Sequence, residues 1–129
     1  KSVGLATTID LNGRTLRARA VAHGIIWFDF KILCRGPHSK VDFAEISRTC
    51  HTLMLSDIPL LGPNDDDAAR RFVELVDELY DRRVNLVASA AGPPETLYTG
   101  TRMRRGFRRV ASRLWEFQST GYITEPHRP

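Results

Sequence analysis

The chain has no apolar run approaching the roughly 18–20 residues that a membrane-spanning helix needs. Its first residues, "KSVGLATTIDLNG", lack the apolar stretch and cleavage site of a signal peptide. It does not open on Met, so the expectation is that it begins inside a longer protein. Cysteine is scarce: there are 2 in 129 residues. Cys34 and Cys50 form no close Cys-x-x-Cys pair, and with His23 and His38 they show no zinc-site spacing, so no metal site is expected. Two free thiols of an intracellular protein are the simpler reading, a disulfide the other. No glycine is followed by Lys-Ser or Lys-Thr, which leaves the chain without a phosphate-cradling P-loop. No Ser/His/Asp or paired-carboxylate constellation stands out, which argues against an enzyme with its own complete pocket. Low-complexity segments and internal repeats are absent as well.

What is present fits one soluble α/β domain over residues 1–129, with 42% apolar and 26% charged residues. The net charge of +4 is modest, but its distribution is uneven. "TRMRRGFRRVASRLWEF" packs six arginines between Arg102 and Arg113 with only Glu116 opposing them, whereas "PNDDDAARRFVELVDELYD" is rich in acids.

"VGLATTIDLNGRTLRARAVAHGIIWFDF" reads as strands joined at Asn12-Gly13, the strongest short hairpin signal. Leu16, Ala18, Ala20 and Ala22 alternate with Arg17, Arg19, Val21 and His23, a half-exposed ribbon with its arginines on the wet face. "GIIWFDFKILC" follows as an apolar anchor. Trp27, Phe28 and Phe30 read as core, or as cover for a surface made for a missing part. Pro37 and Ser39 lead into a short helix, "KVDFAEISRTC", with Val41, Phe43/Ala44 and Ile46 inward. A compact strand over His51–Ile58 ends at Asp57 and Pro59, since proline cannot donate within a central ladder. The clearest element is a helix over Asp65–Arg82, with Ala68, Phe72, Leu75/Val76 and Leu79/Tyr80 at helical spacing. Asn64 or Asp65 caps it, and Asp66/Arg70, Asp67/Arg71 and Glu78/Arg82 are candidate i,i+4 pairs. Strand Val84–Ala88 follows directly. Strand, helix and strand then make a right-handed parallel crossover, a small βαβ layer of the P-loop-ATPase kind, with the hairpin at one side. "PPETLYTG" reads as a turn with one helical turn. A last basic helix from about Arg102 to Ser119 places Met103, Phe107, Val110, Leu114 and Phe117 on one face, and "GYITEPHRP" is a strand stub or tail. Tyr80 and Tyr98 are expected as hydroxyls at the core's edge.

The blocks "WFDFKILC", "VDFAEI", "HTLMLSDIPLL", "ARRFVELVDELYDRRVNLVASA" and "FRRVASRLWEFQS" together resemble one family over roughly Leu11–Ile123. It is the AAA+-type P-loop ATPase family that includes the bacterial cell-division protein ZapE and its mitochondrial relatives. In that family the Walker motifs lie in the N-terminal half, so the resemblance implies a C-terminal fragment of a longer ATPase. It also implies ATP and Mg²⁺ as cofactors of the whole protein, with most of their ligands outside this chain. The implied partners are the protein's own N-terminal ATPase half, like subunits in a homo-oligomer, and a division or membrane-associated client. The implied location is the cytoplasm, peripheral to the inner membrane. Phe43 stands where the family pattern has Tyr, Phe117 where it has Met, and Ala91-Gly92 where an acid is usual.

"RVASRL" falls on the family's Arg-Thr-x-x-Ser-Arg-Leu pattern, which implies a sensor or finger role for Arg109 and Arg113. Phosphoryl transfer rewards a guanidinium placed on developing γ-phosphate charge, and four-residue spacing puts both on one helix face. The other reading pairs them with acids such as Asp77 or Asp81. Arg105 joins them as a candidate phosphate contact. Ser89 ends its strand where a nucleotide sensor would stand, or simply packs as a small residue. Asp57 reads as a turn cap. Two further functions stay open: a non-catalytic protein-interaction module, and a basic nucleic-acid-binding module. The latter is disfavoured, because Trp115 is the one stacking aromatic beside the arginines and no nucleic-acid motif is present.

Overall fold

The structure, a computed structural model, describes residues 4–118. Five strands stand in the sheet in chain order: β1 (Gly4–Leu11), β2 (Arg14–Ala22), β3 (Ile25–Asp29), β4 (Thr52–Ile58) and β5 (Asn85–Ala90). β1, β2 and β3 pair antiparallel, while β3, β4 and β5 pair parallel. Four helices accompany them: α1 (Phe30–Cys34), α2 (Lys40–Thr49), α3 (Asp66–Asp81) and α4 (Arg104–Glu116). The α/β class, the hairpin and the parallel crossover are those read from the sequence. The segment Gly121–Pro129, read as a stub or tail, lies outside the described residues.

The hairpin turn follows from its two central residues. Asn12 and Gly13 take φ values of 52° and 81°, the positive pair that a tight turn between twisted strands requires. The β2–β3 turn depends on Gly24 more strictly. Its φ is 71°, and a Cβ there would lie 2.3 Å from the His51 ring.

α3 crosses from β4 to β5 on its apolar stripe of Ala68, Phe72, Leu75, Val76 and Leu79. Phe72 is fully buried, with ring centroids 5.6 Å from Phe30 and 5.9 Å from Phe107. This aromatic column joins α1, α3 and α4, and each such pair adds about 0.5–1.5 kcal/mol beyond its buried area. Arg71, expected to pair with Asp67, instead reaches away from its own helix. It donates to the carbonyls of His38 (3.2 Å) and Cys34 (3.3 Å), holding the end of α1 against α3. Asp67 takes Arg70 at i,i+3, while Glu78 and Arg82 pair as expected.

Three elements depart from the sequence reading. The apolar anchor divides: the strand stops at Asp29 and Phe30 opens α1, because Phe30, Leu33 and Cys34 recur at helical spacing and all three are buried. Val41, expected inward, is 66% exposed. α2 turns its neighbour Asp42 inward with Phe43, Ile46 and Ser47, since Asp42 and Ser39 close a reciprocal cap at the helix start. Phe28 and Phe30 are core, but Trp27 lies on the other side of the sheet, outside the core cluster.

No helix of the described residues is long and apolar enough to cross a membrane.

Candidate functional site

α4 is anchored by Phe107 and Val110, with Met103 and Leu114 packed beside them. Gly106 lets it approach α3 closely, since a Cβ there would stand 3.2 Å from both Val73 methyls. This seating decides where each arginine goes. Arg109 points along the flank facing α3 and donates from Nε and Nη2 to Asp77 Oδ1 (3.0 Å) and Oδ2 (2.8 Å). That is the parallel two-bond fork to which guanidinium geometry is suited. Arg113, one turn on, donates from Nη1 to the same Asp77 Oδ1 and lies 4.3 Å above the Tyr80 ring. The hydrogen bonds and charge of Asp77 hold the Arg109 guanidinium still more firmly protonated. Tyr80 in turn donates to Glu116 (2.8 Å), whose hydrogen bond and charge push the phenol pKa up. One carboxylate thus fixes two arginines, and the group keeps one net positive charge.

Among the described residues the remaining arginines of the segment have no such partner. Arg102, Arg104, Arg105 and Arg108 are exposed, and no ion pair holds any of them among the described residues. They surround the amino end of α4, whose first turn carries no acid. Cations at that end oppose the helix dipole, so the region is strongly electropositive. Arg104 and Arg108 border a cleft of about 380 Å³ that also takes in Glu95, Tyr98 and Thr99. Its floor is the stacked pair of Tyr98 and Phe107, with centroids 5.0 Å apart. Tyr98 sits at the core's edge, donating to Asp66 (2.8 Å) and accepting from the Met103 amide (2.9 Å). Trp115, the exposed aromatic of this face, donates its indole N–H to Glu95 (2.5 Å).

Ser89 stands apart from this cluster. Near the carboxyl end of β5, its hydroxyl accepts the Asp57 amide at 2.9 Å, where β4 and β5 lose register between Leu55 and Ile58. Asp57 takes φ of 64°, a left-handed conformation that Asp tolerates better than most residues. Among the described residues no hydrogen bond or ion pair joins Ser89 to the arginines. The sequence candidates therefore fall at two places, one on α4 and one at the strand ends.

A third polar cluster escaped the sequence reading. Asp42, 4% exposed, accepts from Asn12 Nδ2 (3.1 Å), Arg14 Nη1 (3.2 Å) and the Ser39 amide (3.3 Å), with His38 Nδ1 at 3.4 Å. Burial alone would raise its pKa, but the bonds from Asn12 and Ser39, with the charge of Arg14, bring it below the usual carboxylate range. The cluster ties the hairpin turn to α2 and is structural. Its signal was available, since Ser39 and Asp42 stand at capping-box spacing. Cys34 and Cys50 are free and buried, and burial pushes the Cys50 thiol up to about 12 and that of Cys34 higher still. Among the described residues no group of three or more His, Cys, Asp or Glu could hold a metal ion.

Comparison with known proteins gives this architecture a family. Residues 4–126 match the profile of the AFG1-like ATPases. The cell division protein ZapE of Escherichia coli K12 is 39% identical over 120 residues, which is 93% of this chain and 32% of that protein. Lactation elevated protein 1 homolog B of Danio rerio is 32% identical over 89 residues, 69% of this chain and 18% of the fish protein. A Schizosaccharomyces pombe protein is 30% identical over 90 residues, 70% of this chain and 20% of its own length. The chain spans about a third of the length of the bacterial relative and less of the others. No solved structure matches it.

Proposed function

The chain belongs to the AFG1-like ATPase family, and from that membership we propose that it is the C-terminal, arginine-bearing part of an ATP-binding, ATP-hydrolysing AAA+-type protein. The observation that carries the reading is the pair of guanidiniums that Asp77 holds on the flank of α4. A carboxylate that aims two arginines leaves one net positive charge and their remaining N–H groups available, and a fixed donor needs no reorganisation when charge develops. Arg113 and Arg109 serve the developing γ-phosphate charge, and Arg105 on the outer face contacts phosphate. Ser89, at the strand ends, is a second and separate contact to nucleotide. ATP and Mg²⁺ supply the phosphoryl chemistry. The residues here fit the outer cationic side of such a site. They do not fit its cradle, since no Gly-rich loop with its lysine is present. The 129-residue chain on its own is expected to turn over no ATP.

The partners that follow are the rest of the ATPase polypeptide, like subunits in a homo-oligomer, and a division or membrane-associated client. The cytoplasm, at the inner membrane's periphery, is the corresponding location. The second reading, a non-catalytic docking module, is favoured by the same Asp77, which already gives both arginines a structural partner. A nucleic-acid module is disfavoured by the engagement of Trp115 with Glu95.

Arg113→Ala in the full-length protein decides between the first two. A finger that meets charge only in the transition state contributes to kcat, by roughly 10³–10⁵ for arginines of this kind. The expected result is a large loss of kcat with nucleotide affinity nearly kept, and little rescue by Arg113→Lys. Steady-state turnover is measured together with Tm. A folded Arg113→Ala protein with wild-type turnover assigns this arginine to structure.

A further inference from the structure

Among the described residues the parallel part of the sheet has helices on one face only. Along β3 and β4, Ile26, Phe28, Leu53 and Leu55 enter the core cluster beneath the helices. Their alternate neighbours Ile25, Trp27, Met54 and Ser56 are half-exposed, and Val87 on β5 is 54% exposed. None of these five belongs to the cluster. Parallel strands are normally covered on both faces, so among the described residues this side lacks a layer. It is also almost free of charge. Among the positions that alternate with the core on these strands Asp29 is ionised, and Arg19 neutralises it at 3.2 Å; exposed Asp57 stands at the edge, where β4 shifts register before Ile58. The centre is built as a rigid platform: Trp27 donates its indole N–H to Ser56, and Arg19 caps the Trp27 ring at 4.9 Å. An uncharged, aromatic-centred patch on a chain of pI about 9.5 has the composition of an interface core.

Resting on the reading of this chain as one part of a longer family ATPase, we propose that the open face of β3, β4 and β5 is the seat of the remaining polypeptide of that protein, packed intramolecularly on Trp27, Met54 and Val87. Size decides against a second copy of the chain. Three strands about 4.8 Å apart, five residues long at about 3.3 Å each, give a flat face of roughly 150–250 Å². A stable interface between free proteins takes about 800 Å² from each partner. A tethered partner faces no such requirement, because covalent linkage supplies an effective concentration in the mM range. The relatives carry the matching segment as a third or less of one polypeptide, so a tethered partner is at hand.

The test is thiol accessibility in the full-length protein. Val87→Cys is reacted with a small maleimide and read by mass spectrometry of the modified peptide. Val41→Cys, on α2 and 66% exposed, is the control, and each rate is normalised to the same site in urea. Cys34 and Cys50 are buried and do not compete. The expected result is Val87→Cys at least tenfold slower than Val41→Cys, independent of protein concentration. Equal rates at the two sites overturn the proposal. Protection that appears only as concentration rises overturns it too, in favour of a second copy. ATPase assays on the same protein test the parent reading separately: an inactive protein with a protected Val87→Cys rejects the ATPase and keeps the interface.

Discussion

Removing Asp77 should release two arginines at once, and the sizes of the two losses should differ. Arg109 makes the better fork, yet its side chain is 44% exposed, so solvent screens the pair and about 0.5 kcal/mol is a fair value. Arg113 is 21% exposed and lies over the Tyr80 ring, a contact that survives the loss of Asp77, so its pairing alone should reach about 1 kcal/mol. Asp77→Ala should then cost about 1.5 kcal/mol and lower Tm by roughly 4–8 °C. The assay is urea unfolding of Asp77→Ala, Arg109→Ala, Arg113→Ala and both double variants. The Asp77–Arg113 coupling should be about twice the Asp77–Arg109 coupling. In 1 M NaCl, where the Debye length falls to about 3 Å, the Arg109 coupling should vanish first. Additive effects of Asp77→Ala and Arg113→Ala, within about 0.3 kcal/mol, would refute the claim that this carboxylate holds that guanidinium.

Asp42→Ala should be more damaging than its polar identity suggests. It leaves Asn12, Arg14 and the Ser39 amide without their buried acceptor and should cost about 2–3 kcal/mol in urea unfolding. Because the folded carboxyl titrates below its unfolded value, its contribution is complete above about pH 4 and is lost as pH falls through the folded pKa. Wild type should therefore lose stability across that acid window, and Asp42→Ala should show a flatter profile there. Cys34 and Cys50 should react with a disulfide reagent at neutral pH only as fast as the chain unfolds, since burial keeps both thiols protonated; stoichiometric labelling of folded protein within seconds would contradict their burial.

Local signals accounted for much of the architecture. Asn12-Gly13 demands a tight turn whatever surrounds it, and the apolar stripe of α3 has one period and one reading. The departures arose where local signals ran out. The run from Ile25 to Cys34 is apolar but for Asp29 and Lys31 and too short on either side of Asp29 for a period to stand out, so the packing of Phe30 against Phe72 fixes where the helix begins. Val41 looks like core until the cap at Ser39 sets the phase of α2. The site divides in the same way. The spacing of Arg109 and Arg113 placed them on one helix face, and Asp77 was among the partners considered. That a single carboxylate takes both depends on how closely α4 approaches α3 at Gly106, a tertiary fact. The Asp42 cluster joins residues from the hairpin turn and the start of α2, and the open face is visible only once the described helices are known to lie on the other side.

The strand order has a consequence for synthesis. Because spatial order equals chain order, each strand leaving the ribosome finds its partner already made. The hairpin closes first, β3 adds to it, and α2 and α3 deliver β4 and β5 in turn. None of the five described strands waits for one not yet translated, as it must where a later strand inserts between two earlier ones. Among the described strands the growing edge is the only edge that changes, and it advances with translation as far as β5.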